Sequence, residues 1–199
     1  MVEATVLSTV QVWVRIPLGG PLNFLKGEIT AMEKEKIFRR GNGEKCTQSK
    51  MIQLIADYIA EDTNKTYDIT VGTDSQNHSA TKMVEVIAVH RVGHGGIFFY
   101  RTEYLQKITS LKQKIYEETS RSIQNATGLL DGVGVILCDK DILIDDLNIN
   151  FKVHCDIGHY GKTNQLISEI VAWVHSAGFD VAIKPDSYTA SGIANKFSK

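Results

Sequence analysis

A single α/β domain with a mixed sheet is the fold this sequence predicts, and three observations predict it. Apolar, β-branched runs each deliver an aspartate at or just past their end: D-I-T-V-G-T-D-S-Q at 68–76 with Asp74, K-V-H-C-D-I-G with Asp156, and V-A-I-K-P-D-S with Asp186. Between and around these runs lie segments whose apolar residues recur at helical spacing. The composition, 43% hydrophobic and 23% charged in 199 residues, is that of a globular chain long enough for one full core. The predicted order is β-β-β-α-β-α-β-α. It gives a mixed five-stranded sheet, three antiparallel strands and then two parallel, flanked by helices.

Residues 1–31 are unlike the rest. V-Q-V-W-V-R-I-P is strand-like, but Gly19-Gly20-Pro21 interrupts it and no hairpin partner is evident, so a flexible extension is expected, with Met32 as a biological start. The domain is placed at 32–199. From Gly27 to Lys50 six basic residues face four acidic ones, the pattern of a solvated loop. Thr47 or Ser49 caps a helix over 47–61, with Met51, Leu54, Ile55, Tyr58 and Ile59 on one face.

The Asp74 strand comes next, and Gly72 within it permits close approach of a backbone or ligand. Lys82–Val92 and Ile97–Arg101, joined through Gly93, Gly95 and Gly96, complete an antiparallel meander. Residues 103–125 read as an amphipathic helix on Leu105, Ile108, Leu111 and Ile115. That stripe carries Glu118, with Glu117 as the alternative in register. A carboxylate on a buried stripe needs a partner, because unpaired burial of a charge costs several kcal/mol, roughly. Over 127–150 Gly132 and Gly134 bracket a turn, Val135–Leu137 fits strand or helix, and D-K-D-I-L-I-D-D-L fits a short capped helix. Phe151–Asp156 is a strand, Lys162–Ala177 a helix ended by Gly178, Phe179–Lys184 the last strand, and a short helix runs from Ser187 to the end.

Charge and cysteine usage narrow the setting. A net charge of −1 gives no global reason for a nucleic-acid partner, although a local basic face would suffice. Three scattered cysteines without a C-x-x-C pair, and no secretory signal, point to a reducing cytoplasmic location. No apolar run approaches the ~18 residues of a membrane span, so no membrane partner is expected.

Strand-end aspartates in this order, with a glutamate on the first long helix, resemble the ribonuclease-H-like plan. That plan implies that the first and fourth strands are parallel neighbours, with Asp74 beside Asp156, Glu118 reaching in from the helix and Asp186 approaching from the far strand. Four carboxylates so close repel, and a hard divalent cation, Mg²⁺ or Mn²⁺, relieves the repulsion. Two such ions stabilise attacking and leaving oxygens in phosphodiester cleavage. In this reading Asp74, Glu118, Asp156 and Asp186 are the catalytic, metal-holding residues. Ser75, His154, Lys162 and Lys184 contact substrate, and Lys196 and Lys199 are further phosphate contacts.

Four motifs in order carry a narrower resemblance: G-T-D-S-Q, R-x-G-x-G-G-x-F-F-Y at 91–100, H-x-D-I-G-x-x-G-K-T at 154–163 and K-P-D-S-x-x-A-S at 184–191. Together they resemble the YkuK-type bacterial family of ribonuclease-H-like proteins, from about Phe38 onward, whose function is largely unassigned. The resemblance implies the fold directly and nuclease activity by analogy. Two other classes use the same residues: a binding module for nucleic acid or protein that retains the acids without catalysis, and an actin-like or sugar-kinase phosphate site, which needs two such domains. Individually, each Asp also suits a turn or helix cap. A phosphate loop at 156–163 would carry Asp156 where its first Gly belongs. Zinc on His154, Cys155 and His159 lacks a fourth ligand and has Cys155 on the opposite strand face.

Overall fold

The computed structural model describes residues 10–15, 24–29, 35–159, 163–187 and 192. The chain divides into two compact units, Met1–Glu35 and Lys36–Lys199. In the first, β1 (Val10–Arg15) pairs antiparallel with β2 (Phe24–Ile29), from Val10 opposite Ile29 to Arg15 opposite Phe24. The expectation that β1 lacks a hairpin partner is therefore corrected: F-L-K-G-E-I hides a strand behind Gly27 and two charged residues. The predicted flexibility of 1–31 and the Met32 start concern residues mostly outside those described.

In the second unit the meander is the centre of the sheet. β5 (Thr66–Asn77) pairs antiparallel with β6 (Thr81–Arg91), which pairs with β7 (Gly96–Leu105). The β6–β7 turn holds Gly93 and Gly95 at φ 77° and 85°, where a side chain would be strained. On the other side of β5 runs β8 (Asn148–Gly158), parallel, followed by β9 (Asp180–Lys184), also parallel. The full order is β4-β3-β7-β6-β5-β8-β9, seven strands where five are expected. The two additional strands are β3 (Ile37–Arg40) and β4 (Lys45–Thr47), a hairpin in the segment read as a solvated loop. Phe38 explains it: fully buried, this ring alone is worth about 1.5–3 kcal/mol to the fold, and the basic residues around it mask so short a strand.

Strand alternation sorts the side chains onto two faces. Tyr67, Ile69 and Val71 of β5 join Ile87, Val89, Val153, Cys155 and Ile157 in the main core. Against them pack α1 (Gln48–Ala60), α2 (Leu111–Cys138) and α3 (Ile167–Ser176), through residues such as Ile55, Leu129 and Ile170. Thr47 caps α1 by accepting from Lys50 N at 3.2 Å. The opposite face holds a smaller cluster of Val84, Val86 and Tyr100.

The long helix departs from expectation at both ends. Glu103 and Leu105 belong to β7, so α2 begins at Leu111, where Ser110 accepts from Gln113 N at 3.3 Å. It then continues through Gly132 and Gly134, where a turn is predicted, to Cys138. Gly132 serves helix packing instead: a Cβ there would come within 2.8 Å of Ile52 Cγ2 on α1. The short helix expected in 139–147 is a single 3₁₀ turn at Ile144–Asp146, and the one expected from Lys162 starts as a 3₁₀ turn at Asn164–Leu166. The terminal helix predicted after Ser187 lies almost wholly outside the described residues.

Candidate functional site

Asp74 lies inside β5, opposite Val84, rather than at the strand's tip. Its neighbours Thr73 and Ser75 both touch α2: Ser122 Oγ donates to Thr73 Oγ1 at 3.0 Å, and Ser75 Oγ donates to Glu118 Oε1 at 2.6 Å. Asp74 between them therefore points to the opposite face, where it accepts from Ser75 N at 2.8 Å. On β8, Cys155 and Ile157 belong to the helix-side core, and His154 and Asp156 line a small pocket with Thr73 of β5 and Glu118, Thr119 and Ser122 of α2. The β5–β8 ladder ends at Gly72 opposite His154, and two residues further along the same offset stand Asp74 and Asp156. The two carboxylates are close enough for the Asp156 charge to raise the Asp74 carboxyl.

Glu118, not Glu117, is the acid that α2 turns toward this strand end. It is 7% exposed, and Lys114 one turn earlier lies 4.0 Å from it while donating to Ser75 O at 3.0 Å. Burial pushes the Glu118 carboxyl up to about 7, against the Ser75 hydrogen bond and the Lys114 charge, and the charges of Asp74 and Asp156 add to the rise. Asp74 is raised as well, first by burial and then by Asp156, with the Ser75 peptide, Lys114 and Lys184 opposing. The Asp156 charge thus acts on both Asp74 and Glu118, and the Asp74 charge on Glu118. Two lysines supply the local compensation: Lys184 Nζ lies 2.8 Å from Asp156 Oδ1, yet that buried oxygen receives no hydrogen bond of normal geometry.

The remaining sequence candidates fall as follows. His154 is buried, its Nδ1 without a hydrogen-bond partner; burial and the Lys152 charge hold its pKa below the ordinary value, against a hydrogen bond to the Ser187 backbone. Asp186 lies in the turn beyond β9, exposed, its N–H donating to Ile183 O at 2.8 Å, and it is not among the principal charges acting on Asp74 or Glu118. The turn folds back on β9, with Ser187 N also donating to Ile183 O at 3.1 Å and the Ser187 backbone meeting His154. Lys162, Lys196 and Lys199 lie outside the described residues. Cys155 faces α2 beside Thr119, and burial pushes its thiol up to about 12, so it is an unreactive core group.

Sequence reasoning missed Lys114, although its position one turn before Glu118 was the available signal. It also missed a second charged cluster on the helix side. Glu85, 1% exposed, receives Arg101 Nη1 at 2.7 Å, Arg121 Nη1 at 2.9 Å and Asn125 Nδ2 at 2.9 Å. Arg121 also meets Glu103 at 2.6 Å and Glu117 at 2.8 Å. A lone glutamate inside M-V-E-V-I-A-V was the signal that a buried cation must exist.

The all-oxygen donor set and the mutual repulsion of Asp74, Glu118 and Asp156 suit a hard divalent cation. Among the described residues, however, no three acidic, imidazole or thiol groups are gathered at metal-binding separation. Lys184 stands against Asp156 and Ser75 against Glu118, so a cation would have to displace at least the half-exposed Lys184 side chain. No helix among the described residues is long and apolar enough to cross a membrane.

Comparison with known proteins agrees with this architecture. Residues 50–199 match the family described as Ribonuclease H-like. The uncharacterized protein YkuK of Bacillus subtilis (strain 168) is 33% identical over 159 residues, which cover 77% of this chain and 91% of that protein. No solved structure matches the chain. With the motif order, the parallel β5–β8 pair and its carboxylates, these matches place the chain in the YkuK-type ribonuclease H-like family.

Proposed function

We propose that the protein is a divalent-metal-dependent phosphodiesterase acting on nucleic acid. The observation that carries this reading is the trio Asp74, Glu118 and Asp156: burial raises the carboxyls of Asp74 and Glu118, the Asp156 charge adds to both rises, and only Ser75 and two lysines oppose them. Mg²⁺ or Mn²⁺ held there would supply Lewis-acid stabilisation of the oxygens at phosphorus. Asp74 and Asp156 would hold it from the strands and Glu118 from α2. Ser75 fixes the Glu118 carboxylate through its 2.6 Å hydrogen bond, and Lys114 fixes the Ser75 carbonyl. Lys184, released from Asp156, would meet a non-bridging phosphate oxygen, exchanging one anion for another.

The Lys184–Asp156 ion pair favours a second reading, in which the lysines are permanent counter-ions and the domain binds without cleaving. One assay separates the two. Single-stranded, duplex and hybrid oligonucleotides, with bis(p-nitrophenyl) phosphate as a generic diester, are incubated with Mg²⁺ or Mn²⁺ and wild-type or Asp74→Asn protein. Metal-dependent cleavage that the variant loses upholds the nuclease. Cleavage of none of them, or equal cleavage by the variant, leaves the binding module.

A further inference from the structure

We propose that Tyr104 and Lys82 form a subsite for single-stranded nucleic acid, the tyrosine stacking a base and the lysine meeting a phosphate. The subsite rests on the nucleic-acid reading above and adds to it where, and in what form, the strand is held.

The sheet register makes the placement. Asp74 stands opposite Val84, and Val84 opposite Thr102, so these three share one face. Two residues toward the sheet end, Gln76 stands opposite Lys82 and Lys82 opposite Tyr104, on that same face. The assignment is checked by the odd-numbered neighbours: Glu85 and Glu103 engage Arg121 or Asn125 of α2 on the other face, and Arg101 joins them through both glutamates. Two inter-strand spacings of about 4.8 Å and one two-residue step of about 6.8 Å put Tyr104 roughly 12 Å from Asp74. That is within the reach of a strand whose phosphate lies at the carboxylates.

Exposure changes sharply along this face. Val84 and Val86 are 0% exposed, whereas Tyr104, penultimate in β7, is 69% exposed. It is the only aromatic among the exposed large hydrophobic residues described, and the most exposed of them. A single exposed aliphatic residue needs no explanation, but a planar ring beside a cation on the face of a candidate nuclease site has the two elements of a single-strand platform. The rim next to it is built rather than loose. Asn77 Nδ2 donates to Ile108 O at 2.7 Å, Ile108 N donates to Thr81 Oγ1 at 2.8 Å, and Thr81 Oγ1 donates to Asn77 Oδ1 at 2.7 Å. This fastens the segment bearing Lys107 to the β5–β6 turn beside Lys82. Lys82 and Lys107 thereby give a local basic edge to a chain whose net charge is only −1.

The test is fluorescence anisotropy with short labelled oligothymidylate and oligouridylate, and a duplex of equal length, at two salt concentrations with Mg²⁺ present and absent. Tyr104→Ala should weaken single-strand binding by about 5- to 100-fold, and Tyr104→Phe, which keeps the ring, by less than about twofold. Lys82→Gln should lower the slope of log affinity against log salt by about 0.7. Duplex binding should be unchanged in all three. Wild-type binding that Tyr104→Ala leaves intact, or loses equally on duplex, overturns the subsite while the nuclease reading stands. Wild-type protein that binds none of the oligonucleotides removes both. Capture of a protein through Tyr104 without oligonucleotide binding has the same consequence.

Discussion

Glu117 and Glu118 are neighbours on α2 and live in opposite electrostatic worlds. Glu117 joins Glu85 and Glu103 around Arg121, with Arg101 completing the group. There, although burial pushes Glu103 upward, the hydrogen bond from Arg121 and the charges of both arginines hold its carboxyl below the ordinary value. Glu118, one residue on, meets the Ser75 hydroxyl and Lys114, and burial with the charges of Asp74 and Asp156 raises its carboxyl to about 7. Both clusters hold three acids, but guanidinium forks fill the first, whereas a hydroxyl and two lysine ammonium groups border the second. The difference separates a cluster whose acids are matched by guanidinium groups from one whose buried carboxyls are left partly uncompensated.

The largest effect should come from breaking the filled cluster. Arg121→Ala leaves Glu85 buried with one cation fewer and should lower stability by about 3–5 kcal/mol, read from urea unfolding. A loss under about 1 kcal/mol, the range of a surface pair, would erase the contrast.

The unfilled cluster should respond with the opposite sign. Glu118 has an ordinary value of 4.5 and a folded value of about 7, so between these the folded state keeps a proton that the unfolded state releases. Stability should therefore fall as pH rises from 4.5 to 7, without added metal, and level off above, by on the order of 3 kcal/mol in all. Glu118→Gln, which can still accept from Ser75, should remove most of that slope and be the more stable protein at pH 8. A variant less stable than wild type at pH 8 would mean that the Ser75 and Lys114 contacts outweigh burial. Asp74→Asn should act in the same direction, since burial and Asp156 raise its carboxyl too.

The smallest effect should come from Lys184→Met. Its ion pair is half exposed, so unfolding should shift by less than about 1 kcal/mol. Mn²⁺ affinity should nonetheless rise, because the competing cation at Asp156 is gone. Unchanged affinity would mean that Lys184 does not stand in the metal's place.

How much of this was legible depended on what kind of signal each part emits. The β5–β6–β7 meander and the parallel β5–β8 pair were legible because β-branched runs and Gly turns are local, and parallel pairing follows from the helix between the strands. The choice of Glu118 over Glu117 needed only helical periodicity from Ile115. β3 and β4 were hidden because four- and three-residue strands among basic residues give no alternation to count. The length of α2 was hidden because Gly132 signals a turn locally but serves close packing on Ile52. Asp186 gives a local signal only for its turn, whose N–H groups at 186 and 187 both return to Ile183 O.

The contrast between the two clusters stands or falls most directly on cation binding at the second. Isothermal calorimetry with Mn²⁺ should show binding to wild-type protein that Asp74→Asn and Asp156→Asn each abolish, with circular dichroism unchanged. No heat at millimolar Mn²⁺ even with an oligonucleotide present, or equal binding by both variants, would contradict it and leave the lysines as the cluster's permanent counter-ions.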